Sequence, residues 1–291
     1  MSFLESILAD KRGEIVAAMA RVSAAAMRAA AVAAVEHAAV AGHKRLTRAL
    51  QVRHDQGRLG VIAEIKARSP SRGELAAAGS WDPVALACRY AAAGVEGISV
   101  LTDRPHFGGE LADLQRAAAA VPIPVLRKDF IISEYQIDEA AAAGAAAVLL
   151  IAAACGPPDA QALDCLRRRA AELGLDVLVE VHTRAELERV LALDPVPDLI
   201  GINARDLATF RVDIATIEHL APLIPRPSLI VGESGVWGGA EAARLAAAGC
   251  DAVLVGEALV RAAARPNGVE TVIEEIRAAA YLGPAPVAPA E

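Results

Sequence analysis

From about residue 60 onward the chain repeats one pattern of apolar and polar positions. A short run of Val, Ile and Leu gives way to a polar turn, then to an Ala-rich stretch of helical spacing, then to Gly or Pro. The apolar runs predict eight strands: Val61–Ile65, Gly97–Leu101, Pro124–Arg127, Ala147–Ile151, Val177–Val181, Leu199–Ile202, Ser228–Val231 and Ala252–Val255. Most are continuous rather than alternating, as in parallel strands covered by helices on both faces. The stretches between them predict helices at Asp82–Ala93, Gly109–Ala119, Ser133–Ala143, Ala160–Leu173, Arg184–Leu193, Ile214–Leu220, Gly238–Ala248 and Gly268–Ala280. Gly94, Gly144, Gly174 and Gly249 stand where a helix would end in a positive-φ residue. Asp82-Pro83 is a helix start, with Asp as the cap and Pro in the first turn.

Eight strands alternating with eight helices predict a single (β/α)8 TIM barrel. A doubly wound open sheet shares the alternation, but it usually has fewer strands, and no GxGxxG follows the first one. Residues 1–54 read as an N-terminal helical extension, with helices at Phe3–Met19 and around Ser23–Ala41. Residues 55–281 would form the barrel, and the Pro/Ala-rich residues 282–291 a frayed tail.

Composition narrows the partners. The 291 residues are 55% hydrophobic and 22% charged, enough for a large core and far from disorder. A net charge of −7 argues against nucleic acid and leaves room for a local basic pocket. Cys88, Cys155, Cys165 and Cys250 form no CxxC pair and read as small core residues rather than metal ligands or disulfide partners. The charged start MSFLESILADKRGE is unlike a signal peptide, and Ala140–Cys155 is too short for a membrane span. The expectation is a cytoplasmic protein without membrane or nucleic-acid partners, and a monomer.

In such barrels the chemistry sits at the C-terminal ends of the strands. Glu64 interrupts the run VIAEIK, and Lys66, two residues on, points to the same side of an extended chain. Alone they could be a structural pair closing the barrel mouth. Lys128, Glu180 and Glu233 fall at other strand ends of the same rim, which favours a functional site. Burial would raise the Glu180 pKa and neighbouring lysines would lower it, so its protonation state stays open. Lys128 could be an acid, a carbonyl-polarising cation or, with a lowered pKa, a Schiff-base nucleophile. His182 reads as a satisfied structural histidine before a base. Gly232–Gly235 and Val255–Ala258 put glycines at the last two strand ends, where barrels often bind phosphate; simple tight turns are the alternative. Residues 69–73 could close over a ligand or form a solvated turn.

In order, VIAEIKARSPSRG, ISVLTDRPHFGG, VLRKDFIISEYQIDEA, AVLLIAA, VLVEVH, GINARDLATF, ESGV and LVGEAL resemble the indole-3-glycerol phosphate synthase family of tryptophan biosynthesis, over roughly residues 3–280. The resemblance implies a lyase that closes the indole ring of 1-(2-carboxyphenylamino)-1-deoxyribulose 5-phosphate with loss of CO₂ and water, using no metal or organic cofactor. It implies that Lys128 is the general acid, Glu180 the second acid/base, and Lys66 the anchor for the anionic substrate. Glu64, Asn203 and Glu233 would orient the lysines and bind ribulose hydroxyls, with Arg205 supporting the charge network. Ser69, Ser234, Gly235, Gly256 and Glu257 would bind the phosphate end. Phe107, Phe130, Leu149 and Leu207 would line the pocket of the aromatic ring. Ala146 and Ala204 stand where the family often has Asp and Asn. A phosphoribosylanthranilate isomerase-like barrel would want a Cys/Asp pair at strand ends, a Schiff-base aldolase would use Lys128, and a non-catalytic scaffold would not need the rim charges.

Overall fold

In the computed structural model, residues 3–41, 45–69, 73–74, 81–155 and 160–279 are described. The barrel strands are β1 (Gly60–Ile65), β2 (Gly97–Leu101), β3 (Val125–Lys128), β4 (Ala147–Ile151), β5 (Asp176–Val181), β6 (Leu199–Asn203), β7 (Leu229–Glu233) and β8 (Ala252–Val255). All neighbours pair in parallel, and β1 pairs with both β2 and β8, closing the sheet. The barrel is therefore formed and the open doubly wound sheet is not. Arg68–Ser69 and Gly73–Glu74 make a small antiparallel ribbon above β1. The predicted loop at 70–72 and the tail at 282–291 lie outside the described residues.

Alternation along each strand divides the core in two. Val61, Ala63, Val179, Val181, Ile200, Ile202 and Ile230 pack outward under the helices. Ile62, Leu126, Leu178, Leu199, Leu229, Val231 and Leu254 fill the barrel interior. Strand side chains point to opposite faces in turn, so a residue two positions past an interior one also faces inward. That places Glu64 after Ile62, Lys128 after Leu126, Glu180 after Leu178 and Glu233 after Val231, all inward at the same end of the barrel.

The helices are α1 (Phe3–Arg21), α2 (Ala24–Ala41), α3 (Leu46–Asp55), α4 (Pro83–Ala92), α5 (Arg104–Phe107), α6 (Leu111–Ala120), α7 (Glu134–Ala142), α8 (Ala160–Glu172), α9 (Arg184–Leu191), α10 (Ala215–Leu220), α11 (Gly239–Ala247), α12 (Glu257–Ala262) and α13 (Gly268–Ala279). Asp82 caps α4, accepting the N–H groups of Val84 and Ala85, as the sequence predicts. The four predicted helix-ending glycines all take positive φ. After α10 the chain tightens into a 3₁₀ turn at Ala221–Leu223, where Pro222 cannot continue the hydrogen-bond ladder.

Helix α3 is not anticipated by the sequence reading. Its Leu46 and Leu50 are fully buried in the barrel interior and approach Gly97 and Gly60, at the starts of β2 and β1. It therefore closes the floor of the barrel. Helix α1 works at the other end: Ile7 and Leu8 join the interior cluster, and the buried Lys11 ammonium lies 3.0 Å from both Asp103 and Asp129 on the loops after β2 and β3. None of the four cysteines is in a disulfide; Cys155 and Cys250 are buried as expected, whereas Cys88 and Cys165 are exposed. Among the described residues no single helix is long and apolar enough to cross a membrane. The segment Ala140–Cys155 is the end of α7, the Gly144 turn and buried β4.

Candidate active site

A cavity of about 370 Å³ opens at the C-terminal end of the barrel. Its centre is Lys128, whose Nζ lies 3.0 Å from Glu180 Oε2 and 3.0 Å from Glu233 Oε2. These groups come from β3, β5 and β7, so they meet by crossing the barrel rather than by following one strand. Gly201 on β6 pairs in register with Glu180, and a side chain there would occupy the place of Glu233 Oε1. The missing Cβ thus lets the two carboxylates converge over β6.

Burial and charge set the three groups apart. Burial alone would lower the Lys128 pKa, but Glu180, Glu233 and Glu64 outweigh it and raise it well above the ordinary lysine range. Lys128 is therefore an ammonium, which removes the nucleophile with a lowered pKa. Glu180 and Glu233 are each 1% exposed. Burial pushes Glu180 up, but Lys128 and then His182 pull it below the usual carboxylate range. Burial and the Glu180 charge raise Glu233, against the pull of Lys128. Of this coupled pair, Glu180 carries the charge and Glu233 keeps the proton to higher pH. That resolves the question the sequence left open for Glu180.

The second cation stands across the mouth. Lys66 Nζ donates to Glu64 Oε1 at 2.6 Å, so the predicted same-side pair exists. Gly256, just after β8, leaves space for both: a Cβ there would collide with Glu64 Oε1 and with Lys66 Nζ. Asn203 ends β6 opposite Glu233 and accepts from the Ser234 hydroxyl at 2.8 Å and from the Arg205 N–H at 3.0 Å. Arg205 also donates to the Phe210 carbonyl at 3.3 Å. Ser234 and Gly235 both take positive φ, at 69° and 80°. This left-handed pair turns the chain sharply past β7, and for Ser234 the conformation is uncommon enough to mark a constrained site. Glu257 opens α12 and pairs with Arg261 at 2.8 Å.

Apolar groups make the remaining walls. Phe107, Phe130, Leu149 and Leu207 all line the cavity, as the sequence reading expects. So do Phe3, Phe210 and Trp237, which that reading misses. Phe3 comes from α1, and its ring packs edge-on against Phe210 with centroids 4.7 Å apart. A signal was present: the chain has only 4 Phe, and every one of them lines this cavity. The backbone of Ser69 pairs with that of Gly73 in the small ribbon. No cysteine lines the cavity, so the Cys/Asp pair of the isomerase reading is missing from it.

His182 departs from the expectation. Among the described residues neither ring nitrogen has a hydrogen-bond partner. Instead Nε2 lies 3.3 Å from Glu180 Oε1 and Nδ1 3.4 Å from Glu186 Oε2.

The family model of indole-3-glycerol phosphate synthase matches residues 4–272, nearly the whole chain. The chain belongs to the indole-3-glycerol phosphate synthase family. Curated relatives of that name agree over most of their length. The relative from Parafrankia sp. is 49% identical over 203 residues, 70% of this chain and 73% of that protein. The relative from Nocardioides sp. is 46% identical, over 72% of this chain and 81% of its own. For Streptomyces griseus the identity is 44% over 265 residues, 89% of this chain and 90% of the relative. A synthase of this family acts on a phosphorylated small molecule, and the cavity offers two ammonium groups to an anion in a chain that is otherwise negative.

Proposed function

We propose that the cavity converts 1-(2-carboxyphenylamino)-1-deoxyribulose 5-phosphate to indole-3-glycerol phosphate, with release of CO₂ and water. The observation that carries this reading is the Lys128 ammonium held 3.0 Å from the buried carboxyl groups of Glu180 and Glu233. Ring closure needs a proton at the ribulose carbonyl as the aromatic carbon attacks it. Lys128 supplies that proton and leaves the carbonyl oxygen as a hydroxyl. The carboxylate on the attacking aromatic carbon departs as CO₂, and its bonding electrons restore the ring. The new hydroxyl then leaves as water, and a proton is removed from the neighbouring carbon to form the indole. Glu180 serves these last proton transfers. Each such acid or base typically contributes about 10²–10⁴-fold in rate.

Positioning does the rest, because two parts of one flexible molecule must meet. Lys66, held by Glu64, anchors the anionic substrate beside the forming bond. Asn203 and the protonated Glu233 bind ribulose hydroxyls and orient Lys128, and Arg205 braces this network. Gly235, Gly256, Ser234, Glu257 through its backbone N–H, and Ser69 serve the phosphate end. Phe107, Phe130, Leu149 and Leu207, joined by Phe3 and Phe210, take the aromatic ring. The working unit of this reading is a monomer. Four cysteines outside any disulfide fit a reducing cytoplasm.

The test is to mix purified protein with the carboxyphenylamino-deoxyribulose phosphate in EDTA and follow indole fluorescence. Emission that rises in proportion to enzyme is the expected result. Its absence, from protein shown folded by circular dichroism, would overturn the reading.

A further inference from the structure

The proposed acid/base work leaves one buried titratable group at the site unused. His182 follows β5 directly, lies two residues past Glu180, and keeps 9% of its side chain exposed. Its ring sits between two carboxylates, Glu180 at 3.3 Å and Glu186 of α9 at 3.4 Å. Among the described residues neither ring nitrogen makes a hydrogen bond to another group. The backbone N–H of His182 donates to the same Glu186 Oε2 at 2.8 Å, which fixes Glu186 beside the ring. Glu180 in turn has one oxygen on Lys128 and the other on His182. We propose that His182 is a positioning residue for Glu180: an imidazolium braced by Glu186 that clamps the Glu180 carboxylate against Lys128 and keeps the pair's proton on Glu233.

The proposal rests on the reading of Glu180 as an acid/base. The groups that face His182 are Glu180 on β5, Glu186 on α9, Glu233 on β7 and, farther off, Asp206 after β6. All are acidic, and Lys128 holds the other oxygen of Glu180. Burial disfavours the imidazolium, but Glu186 and Glu180 more than offset it, so the His182 pKa is raised. Without the cation, the proton shared by the carboxylate pair would move toward Glu180 and disable it. An opposite charge at this distance typically moves a carboxylate by about 1–3 pH units. At the lower end that is about tenfold in how the proton divides between Glu180 and Glu233.

Two measurements on the full-length protein test this. Nitrogen-15 NMR of the histidine rings should show His182 titrating above the usual value of about 6.5, and falling in Glu180→Gln and Glu186→Gln. Titration at or below 6.5, or no response to Glu180→Gln, overturns the clamp, and this arm needs no turnover. In the indole assay, His182→Gln should lower kcat about tenfold while KM stays within about twofold. An unchanged kcat, or kcat, KM and Tm worsening together as for a purely structural residue, overturns the positioning role. A wild-type protein that makes no indole product would instead count against the proposed reaction, and the NMR arm would still decide the clamp.

Discussion

Lys128 has a carboxylate at 3.0 Å on either side, and the two are not equivalent. His182 lies 3.3 Å from Glu180, whereas Glu233 Oε1 has no hydrogen-bond partner among the described residues. In the proposed reaction the ionised Glu180 is therefore the proton acceptor, and Glu233 is closer to a neutral carboxyl. Glutamine copies the shape of a neutral carboxyl and still donates a hydrogen bond. Glu233→Gln should thus lower kcat by no more than about tenfold, and Glu180→Gln by about 10²–10⁴-fold with a smaller change in KM. Steady-state kinetics on the two variants checks the order. At this scale the sequence showed which residues were out of place, because a Glu or Lys inside an apolar run is conspicuous. It did not show their charge states, which depend on neighbours brought from other strands.

At the scale of elements the period of two in each strand explains both what was legible and what was not. The apolar runs marked all eight strands, with ends shifted by one or two residues. Lys128 and Glu233 close β3 and β7 rather than following them, since their backbones still pair with the neighbouring strands. Helix α3 escaped because LTRALQVRHD is mostly polar and shows only Leu46 and Leu50 to the core. The role of α1 was equally hidden, since two of the three carboxylates on Lys11 lie more than 90 residues away. Burial would raise the Asp129 pKa, but Arg127 and then Lys11, with a Thr102 hydrogen bond, bring it down to about 2. A carboxylate with a lowered folded pKa adds stability above its unfolded pKa and loses it as pH falls through the folded value. Lys11→Met leaves Asp103 and Asp129 without that cation. It should cost about 3–5 kcal/mol in denaturant unfolding and move acid unfolding to higher pH. It should also raise KM, because α1 carries Phe3 into the cavity wall.

Across the whole molecule the two ends of the barrel divide the labour. The catalytic end gathers ionised groups around a cavity. The opposite end, at the strand starts, is held by Asp251, which is 1% exposed. It accepts from Arg226 at 2.6 Å and from the Ile230 N–H at 2.7 Å, and it lies 2.7 Å from His54 of α3. Asp251→Asn should therefore lower the melting temperature, at a cost of about 3–5 kcal/mol, and leave kcat unchanged below the transition. Scanning calorimetry with a parallel indole assay checks both halves. The same division explains how a chain of net charge −7 can serve an anionic substrate. Lys66, Lys128 and Arg205 line the cavity, where a local field matters more than the total charge.

The most direct test of this account is turnover of the carboxyphenylamino-deoxyribulose phosphate by Lys128→Met beside the wild type, read by indole emission. Loss of the one ammonium that both carboxylates hold should lower kcat by at least about 10²–10⁴-fold, with the circular dichroism spectrum unchanged. Turnover near the wild-type rate would contradict the assignment of Lys128 as the acid, and with it the mechanism built on that site.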